Sequence, residues 1–209
     1  MSSIFPKWYD FFMGPLEKGK FKTVRKELLQ RADGSVLEIG SGTGVNFPYY
    51  HHSVTTVTAI EPSQHMIDRS RKKREMSVVP IQIIKDSAER LPFDDHTLDT
   101  VVATLVLCTI PNPETALQEM KRVCKPEGKI LIFEHVKMNN VVLANLQECL
   151  TPLWKKVCDG CSLNRDTLQM INENGLEIVH KKTFYNGLFI QVEVGIKEGQ
   201  HRSRTDIFV

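Results

Sequence analysis

The sequence has no uninterrupted apolar run approaching the roughly 20 residues that a helix needs to cross a bilayer, so no transmembrane segment is expected. Its first residues do not join a short basic stretch to an apolar one with a small-residue cleavage site. Without such a secretory signal the expected location is cytoplasmic. Charge of one sign is also lacking. The 27 Lys and Arg stand against 25 Asp and Glu, and a net charge of +2 gives no general pull toward nucleic acid or anionic lipid. One local basic run exists, Arg69-Ser70-Arg71-Lys72-Lys73-Arg74. It has no interleaved aromatics and reads as a solvated helix end, where cations complement the dipole, so no nucleic-acid partner is expected.

Cysteine is present five times, at Cys108, Cys124, Cys149, Cys158 and Cys161, an odd number that leaves a thiol unpaired in any intramolecular disulfide scheme and fits a reducing compartment. Cys158-Asp159-Gly160-Cys161 lacks a second cysteine pair, or a His-x-x-x-His run, to complete a zinc site at a familiar spacing. It also lies too late in the chain for a redox pair opening the helix of an early βαβ unit. The expectation is no metal, with packing near a pocket as the role of these thiols. Internal repeats and low-complexity linkers are missing too, and nothing divides the chain in two.

What the sequence does have is an apolar strand running into three glycines at alternate positions: Val36-Leu37-Glu38-Ile39-Gly40-Ser41-Gly42-Thr43-Gly44. Such a turn brings main-chain N–H groups beside a ligand. The next run, Val54 to Ile60, ends at Glu61-Pro62-Ser63, placing a carboxylate about 20 residues after Gly40, where ribose hydroxyls are gripped in nucleotide-binding α/β folds. A third run, Val79 to Ile84, ends at Lys85-Asp86-Ser87-Ala88. Polar residues after successive strands suit a ligand lying across the carboxyl edge of a parallel sheet. Gly44 arrives one residue early for the dinucleotide fingerprint, which points away from NAD.

Further along, Leu98 to Ala103 reads as a fourth strand and Lys129 to Phe133 as a fifth, which delivers Glu134 and His135 to the same edge. Phe21, Val24 and Leu28 recur at helical spacing within Leu16–Gln30, a leading helix. Asn112-Pro113 opens another helix, with Ala116, Leu117, Met120 and Val123 as its apolar stripe and Pro126-Glu127-Gly128 as its stop. Leu176–Phe184 and Leu188–Ile196 read as strands around an Asn186-Gly187 two-residue turn. The fold class is therefore α/β: a Rossmann-like, doubly wound, mainly parallel seven-stranded sheet with an antiparallel C-terminal hairpin strand.

Through Leu37–Gly44, Glu61-Pro62-Ser63, Asp86-Ser87-Ala88 and Lys125-Pro126-Glu127-Gly128 the chain resembles class I S-adenosylmethionine-dependent methyltransferases of the type 11 group. Through Gly44-Val45-Asn46-Phe47, Thr104-Leu105-Val106-Leu107-Cys108, Phe133-Glu134-His135-Val136 and Asp159-Gly160-Cys161 it is similar to the small methyltransferase-like thiol S-methyltransferases. The resemblance implies S-adenosyl-L-methionine as cofactor and a small-molecule methyl acceptor. It makes Glu38, Gly40, Ser41, Gly42, Gly44, Glu61, Pro62, Met66, Asp86, Ser87, Ala88, Thr104 and Leu105 the cofactor-binding candidates, His135 and Glu134 the catalytic ones, and Tyr9, Cys108 and Trp154 the substrate-binding ones.

On this reading the chain is a single methyltransferase domain: a helical lid over 1–33, a cofactor-binding core over 34–135, a substrate-wall insertion over 136–175, a C-terminal hairpin over 176–198 and a tail over 199–209. The aromatic cluster Phe5, Trp8, Tyr9, Phe11 and Phe12 stays open between a lid and a helix docked on the core, or weakly on a membrane surface. S-methylation of a thiol leads, because a thiolate is nucleophilic near neutral pH. C- or N-methylation of a quinone-like or phospholipid acceptor is the alternative. A nicotinamide-dependent oxidoreductase or a non-catalytic nucleoside-binding module is the alternative of another class. The oligomeric state is not set by the sequence.

Overall fold

The computed structural model describes residues 19–196. The aromatic segment with Tyr9 and the tail lie outside the described residues. Helix α1 (Lys20–Leu29) leads into β1 (Gly34–Ile39), a short 3-10 turn (Phe47–Tyr49) and β2 (Val54–Ile60). Then follow α2 (Gln64–Glu75), β3 (Ile81–Ile84), β4 (Leu98–Thr104), α3 (Pro113–Val123) and β5 (Cys124–His135). The chain closes with α4 (Val141–Val157), α5 (Thr167–Glu173), β6 (Leu176–Phe184) and β7 (Phe189–Ile196).

The seven strands lie in the order β3-β2-β1-β4-β5-β7-β6. Strands β1 to β5 are parallel, and β7 runs antiparallel to both β5 and β6. This is the expected Rossmann-like sheet with its antiparallel edge. The order reverses between β1 and β4, so the glycine turn after β1 opens at the switch point.

Both faces of the sheet are covered, which explains the nearly continuous apolar runs of its central strands. On one face Phe21, Val24 and Leu28 of α1 pack with Val36, Val57, Val102 and Phe133. Phe21 meets Phe133 edge-on at 5.1 Å and Phe189 at 4.8 Å; burying one such side chain contributes about 1.5–3 kcal/mol. On the other face the α3 stripe Ala116, Leu117, Met120 and Val123 packs with Leu37, Val101, Ile130 and Ile132.

Three expectations shift. The third helix ends at Val123, because Cys124 pairs with Leu98 and Pro126 disfavours helical backbone before it; β5 thus begins earlier than Lys129. Pro113 opens that helix as expected, but Asn112 makes no side-chain cap bond. In the hairpin, Phe184 and Phe189 are the last paired residues, so the connection has four residues. Asn186 and Gly187 are the centre of its turn, at φ 56° and 88°, closed by a bond from Leu188 N–H to Tyr185 O.

Candidate active site

The glycine turn follows directly from β1. Main-chain N–H groups of Gly40 and Ser41 donate to Ile60 O at 2.8 and 3.2 Å, which ties the turn to the end of β2. Gly44 adopts φ +69°, and a Cβ there would stand 2.6 Å from the Phe47 ring, so both backbone and packing require glycine. At Gly42 (φ +53°) a Cβ would meet nothing within 4 Å, so the backbone there faces open space. The Ser41 hydroxyl beside it is buried with no partner among the described residues.

Glu61, first after β2, turns its carboxylate back onto this turn. It accepts from Gly42 N–H at 2.8 Å and from Ser63 N–H at 2.9 Å. Burial raises its pKa, against the lowering by these two donors. Pro62 is exposed, and Ser63 caps α2 by accepting from Met66 N–H, leaving the Met66 side chain half-buried nearby. After β3, Asp86 accepts from Ser87 N–H at 2.8 Å, and Ala88 is buried. Cofactor candidates therefore follow three adjacent strand ends, as their spacing implies.

Glu38 and Thr104 belong to a layer beneath. Asn46 Nδ2 donates to Glu38 Oε1 and Thr104 Oγ1, both at 2.9 Å, and the Tyr50 hydroxyl donates to Glu38 Oε2 at 2.8 Å. Arg25 Nη1 donates to Asn46 Oδ1 at 3.0 Å and to Thr104 Oγ1 at 2.6 Å. With both oxygens of Glu38 taken and 1% of the residue exposed, these side chains hold the glycine turn from below. Burial pushes the Glu38 pKa up to about 7, although Tyr50, Asn46 and Arg25 each oppose the rise. Arg25, Asn46 and Tyr50 went unremarked as site residues in the sequence, since nothing local marks side chains that meet across 8 to 79 positions.

Beyond β4 the chain passes through Leu105 in the left-handed region (φ 52°), held by a 2.7 Å bond from its N–H to Phe133 O. Cys108 follows and meets the end of β5. Glu134 is fully buried; it accepts from Cys108 N–H at 3.3 Å and from its neighbour His135 N–H at 3.1 Å. It lies at the carboxyl end of β5, as its place in the sequence implies, with its side chain buried behind this corner. Burial raises its pKa, with the His135 charge opposing.

His135 Nε2 lies 3.1 Å from Cys161 Sγ. Cys161 is delivered by a left-handed turn at Asp159 and Gly160 after α4. Ser162 N–H bonds Cys108 O at 2.9 Å, which fastens the two cysteine segments together. Arg165 donates to Leu107 O and, at 2.8 Å, to Ile110 O. A hydrogen bond with Cys108 pulls the Cys161 thiol well below its ordinary range despite burial, helped by His135 and Trp154. The same bond, with burial, pushes Cys108 up. The pKa of His135 is raised: burial opposes the rise, but Cys161 and Glu134 prevail.

Cys108, His135 and Trp154 therefore meet around Cys161, while Cys158 caps the end of α4 and its carbonyl accepts from Cys161 N–H at 2.9 Å. The convergence of Cys161 with Cys108 and His135 was missed, because its partners are 53 and 26 residues away in the sequence rather than at a short spacing.

Helix α4 buries Ala144, Gln147 and Thr151 and leaves Val141, Val142, Leu146, Leu150 and Leu153 exposed. Gln147 pins it to the end of β5 by donating to Val136 O at 3.0 Å and accepting from Met138 N–H at 2.8 Å. Among the described residues no helix is long and apolar enough to cross a membrane.

Comparison with known proteins gives concordant findings. Residues 37–132 match the family model described as a methyltransferase domain. A phosphatidylethanolamine N-methyltransferase of Cereibacter sphaeroides is 35% identical over 154 residues, covering 72% of this chain and 75% of that protein. The thiol S-methyltransferase TMT1B of Homo sapiens is 30% identical over 165 residues, covering 73% and 67%. Among solved structures, an S-adenosylmethionine dependent methyltransferase from Mesorhizobium loti superimposes with a TM-score of 0.68 at 13% identity, covering 85% of this chain and 99% of that one.

Proposed function

The chain belongs to the S-adenosylmethionine-dependent methyltransferases, and from that premise we propose that its acceptor is a small-molecule thiol. The cofactor supplies an electrophilic methyl group on a sulfonium sulfur. The residues present fit it: an open backbone at Gly42, an unpartnered buried hydroxyl at Ser41, and an acidic side chain at Glu61 facing the turn. In this assignment Gly40, Gly42 and Gly44 admit the amino-acid portion, Glu61 takes the ribose hydroxyls, Met66 packs on the adenine, and Asp86, Ser87 and Ala88 border its edge. Glu38 and Thr104 keep the turn in place, and Leu105 stands beside the reacting carbon.

The observation that carries the thiol reading is the corner where β4 and β5 end. Cys108, Cys161 and His135 crowd together there, with Trp154 as the wall contributed by the 136–175 insertion. Glu134 is fully buried, with each oxygen accepting from a main-chain N–H, so in this reading it serves as a positioning residue. A thiol needs only alignment and the loss of a proton near neutral pH, whereas an amine or carbon nucleophile needs a free base. Five free cysteines support a reducing compartment, the cytoplasm, as the location.

A second reading has its own support. The apolar face of α4 and the phosphatidylethanolamine N-methyltransferase relative favour a phospholipid amine lying against that helix. Incubation with methyl-labelled S-adenosylmethionine and, in parallel, small thiols, phosphatidylethanolamine vesicles and a quinol separates the readings. Label in the thiol product is expected. Label only in lipid or quinol overturns the thiol assignment.

A further inference from the structure

We propose that Cys108, Cys161 and His135 form a site for a thiophilic divalent cation such as Zn2+, with a fourth position left for the sulfur of the acceptor. The two sulfurs and the imidazole nitrogen all lie within 4.8 Å of one another, and His135 Nε2 lies 3.1 Å from Cys161 Sγ. Zinc bonds of about 2.3 Å to sulfur and about 2.0 Å to nitrogen set tetrahedral ligands roughly 3.5–3.8 Å apart, a spacing that those two limits bracket. Two thiolates and one imidazole are a soft donor set that selects zinc over magnesium or calcium. Among the described residues the site offers three protein ligands, the arrangement of a reactive centre with one position open, whereas structural zinc sites are closed by four.

The framework around the three ligands is rigid and matched in charge. His135 ends β5, Cys108 is held by Glu134 through its own N–H, and the Cys161 turn is joined to Cys108 by the Ser162 bond. Two thiolates offset the charge of a dication. The Arg165 guanidinium, which faces Cys108, Cys161 and Glu134, offsets the buried Glu134 carboxylate. Before an acceptor binds, the loaded corner is therefore neutral, the condition under which buried charges are tolerated.

Use of the fourth position rests on the thiol reading above; the cation site itself does not. An acceptor thiol that binds there releases its proton to solvent as its sulfur coordinates. A lone pair on that sulfur then forms the new bond to the methyl carbon, while the bond from methyl to sulfonium breaks and its electrons return to the donor sulfur. The cation keeps its oxidation state throughout.

Cobalt(II) titration of the reduced, chelator-stripped full chain, followed by absorption, tests the site. An intense thiolate-to-cobalt charge-transfer band is expected, with four-coordinate d–d bands that saturate at one cobalt per chain and are lost on adding zinc. The charge-transfer band weakens in Cys108→Ser and in Cys161→Ser, vanishes in the double variant, and is unchanged in Cys149→Ser, whose residue is exposed. Absence of the band in the unsubstituted protein overturns the site, with no reliance on any variant folding. So does its survival in the double variant. Addition of a small thiol should shift the d–d bands, and unshifted bands overturn the open position. Cobalt binding without methyl transfer to any thiol leaves the cation site standing and removes the thiol reading, so the two failures are distinguishable.

Discussion

Glu61 concentrates the donor-binding assignment in one side chain. Its two oxygens are arranged by the Gly42 and Ser63 N–H groups. Hydrogen bonds to a charged group contribute about 1.5–3 kcal/mol each, so Glu61→Ala should weaken S-adenosylmethionine binding by roughly ten- to a hundredfold in calorimetry. Unchanged affinity would remove the ribose assignment. Glu38 gives a stability prediction. Its folded pKa of about 7 exceeds the ordinary value of 4.5, so the folded state binds the proton more tightly than the unfolded state does. That contribution is complete below pH 4.5 and is lost as pH rises through 7, an effect of about 3 kcal/mol. Urea denaturation across this window should show stability falling with pH, and Glu38→Gln should flatten the fall. The glycines and Glu61 were legible because strand ends mark them. The partners of Glu38 were not, because a buried network is made by chain crossings that no local pattern encodes.

At the scale of elements, α1 is tied to the carboxyl edge of the sheet by one buried cation. Arg25 is 3% exposed and bridges α1 to Asn46 and to the last residue of β4. Arg25→Ala strands their polar groups and should destabilise the fold by about 3 kcal/mol, lowering the melting temperature by about 6–12 °C in calorimetry. A loss below 1 kcal/mol would mean that apolar packing alone seats the helix. Strands β1, β2 and β4 were readable because both of their faces are covered, which gives continuous apolar runs. The start of β5 was not, since Lys125-Pro126-Glu127-Gly128 has the composition of a turn while its flanks pair with β4 at Cys124 and Lys129. The role of α4 was only partly visible: its amphipathic pattern reads as a wall, yet just Ala144, Gln147 and Thr151 are buried.

For the whole molecule, cofactor binding and stability are linked. A ligand at about one hundred times its dissociation constant stabilises the native state by about 2.7 kcal/mol, which in a chain of this size raises the melting temperature by roughly 5–10 °C. S-adenosylmethionine and its demethylated product should both produce this shift, and NAD should not. A shift with NAD alone would favour the nicotinamide reading. The overall architecture was legible from the order of strands, because alternation of strand and helix dictates a parallel sheet. The meeting of Cys108, His135 and Cys161 was not, since it depends on how the 136–175 segment folds back over the strand ends.

The sheet order also makes β7 the link between the parallel strands and β6. Strand β7, the last strand among the described residues, lies between β5 and β6. While a ribosome is still making it, the outer side of β5 carries a row of unsatisfied amides running up to Glu134 and His135, and β6 has no neighbour to join. Until β7 is in place, therefore, the outer side of β5 is an open strand edge of the kind that pairs with other chains, and β6 reaches the sheet only through β7.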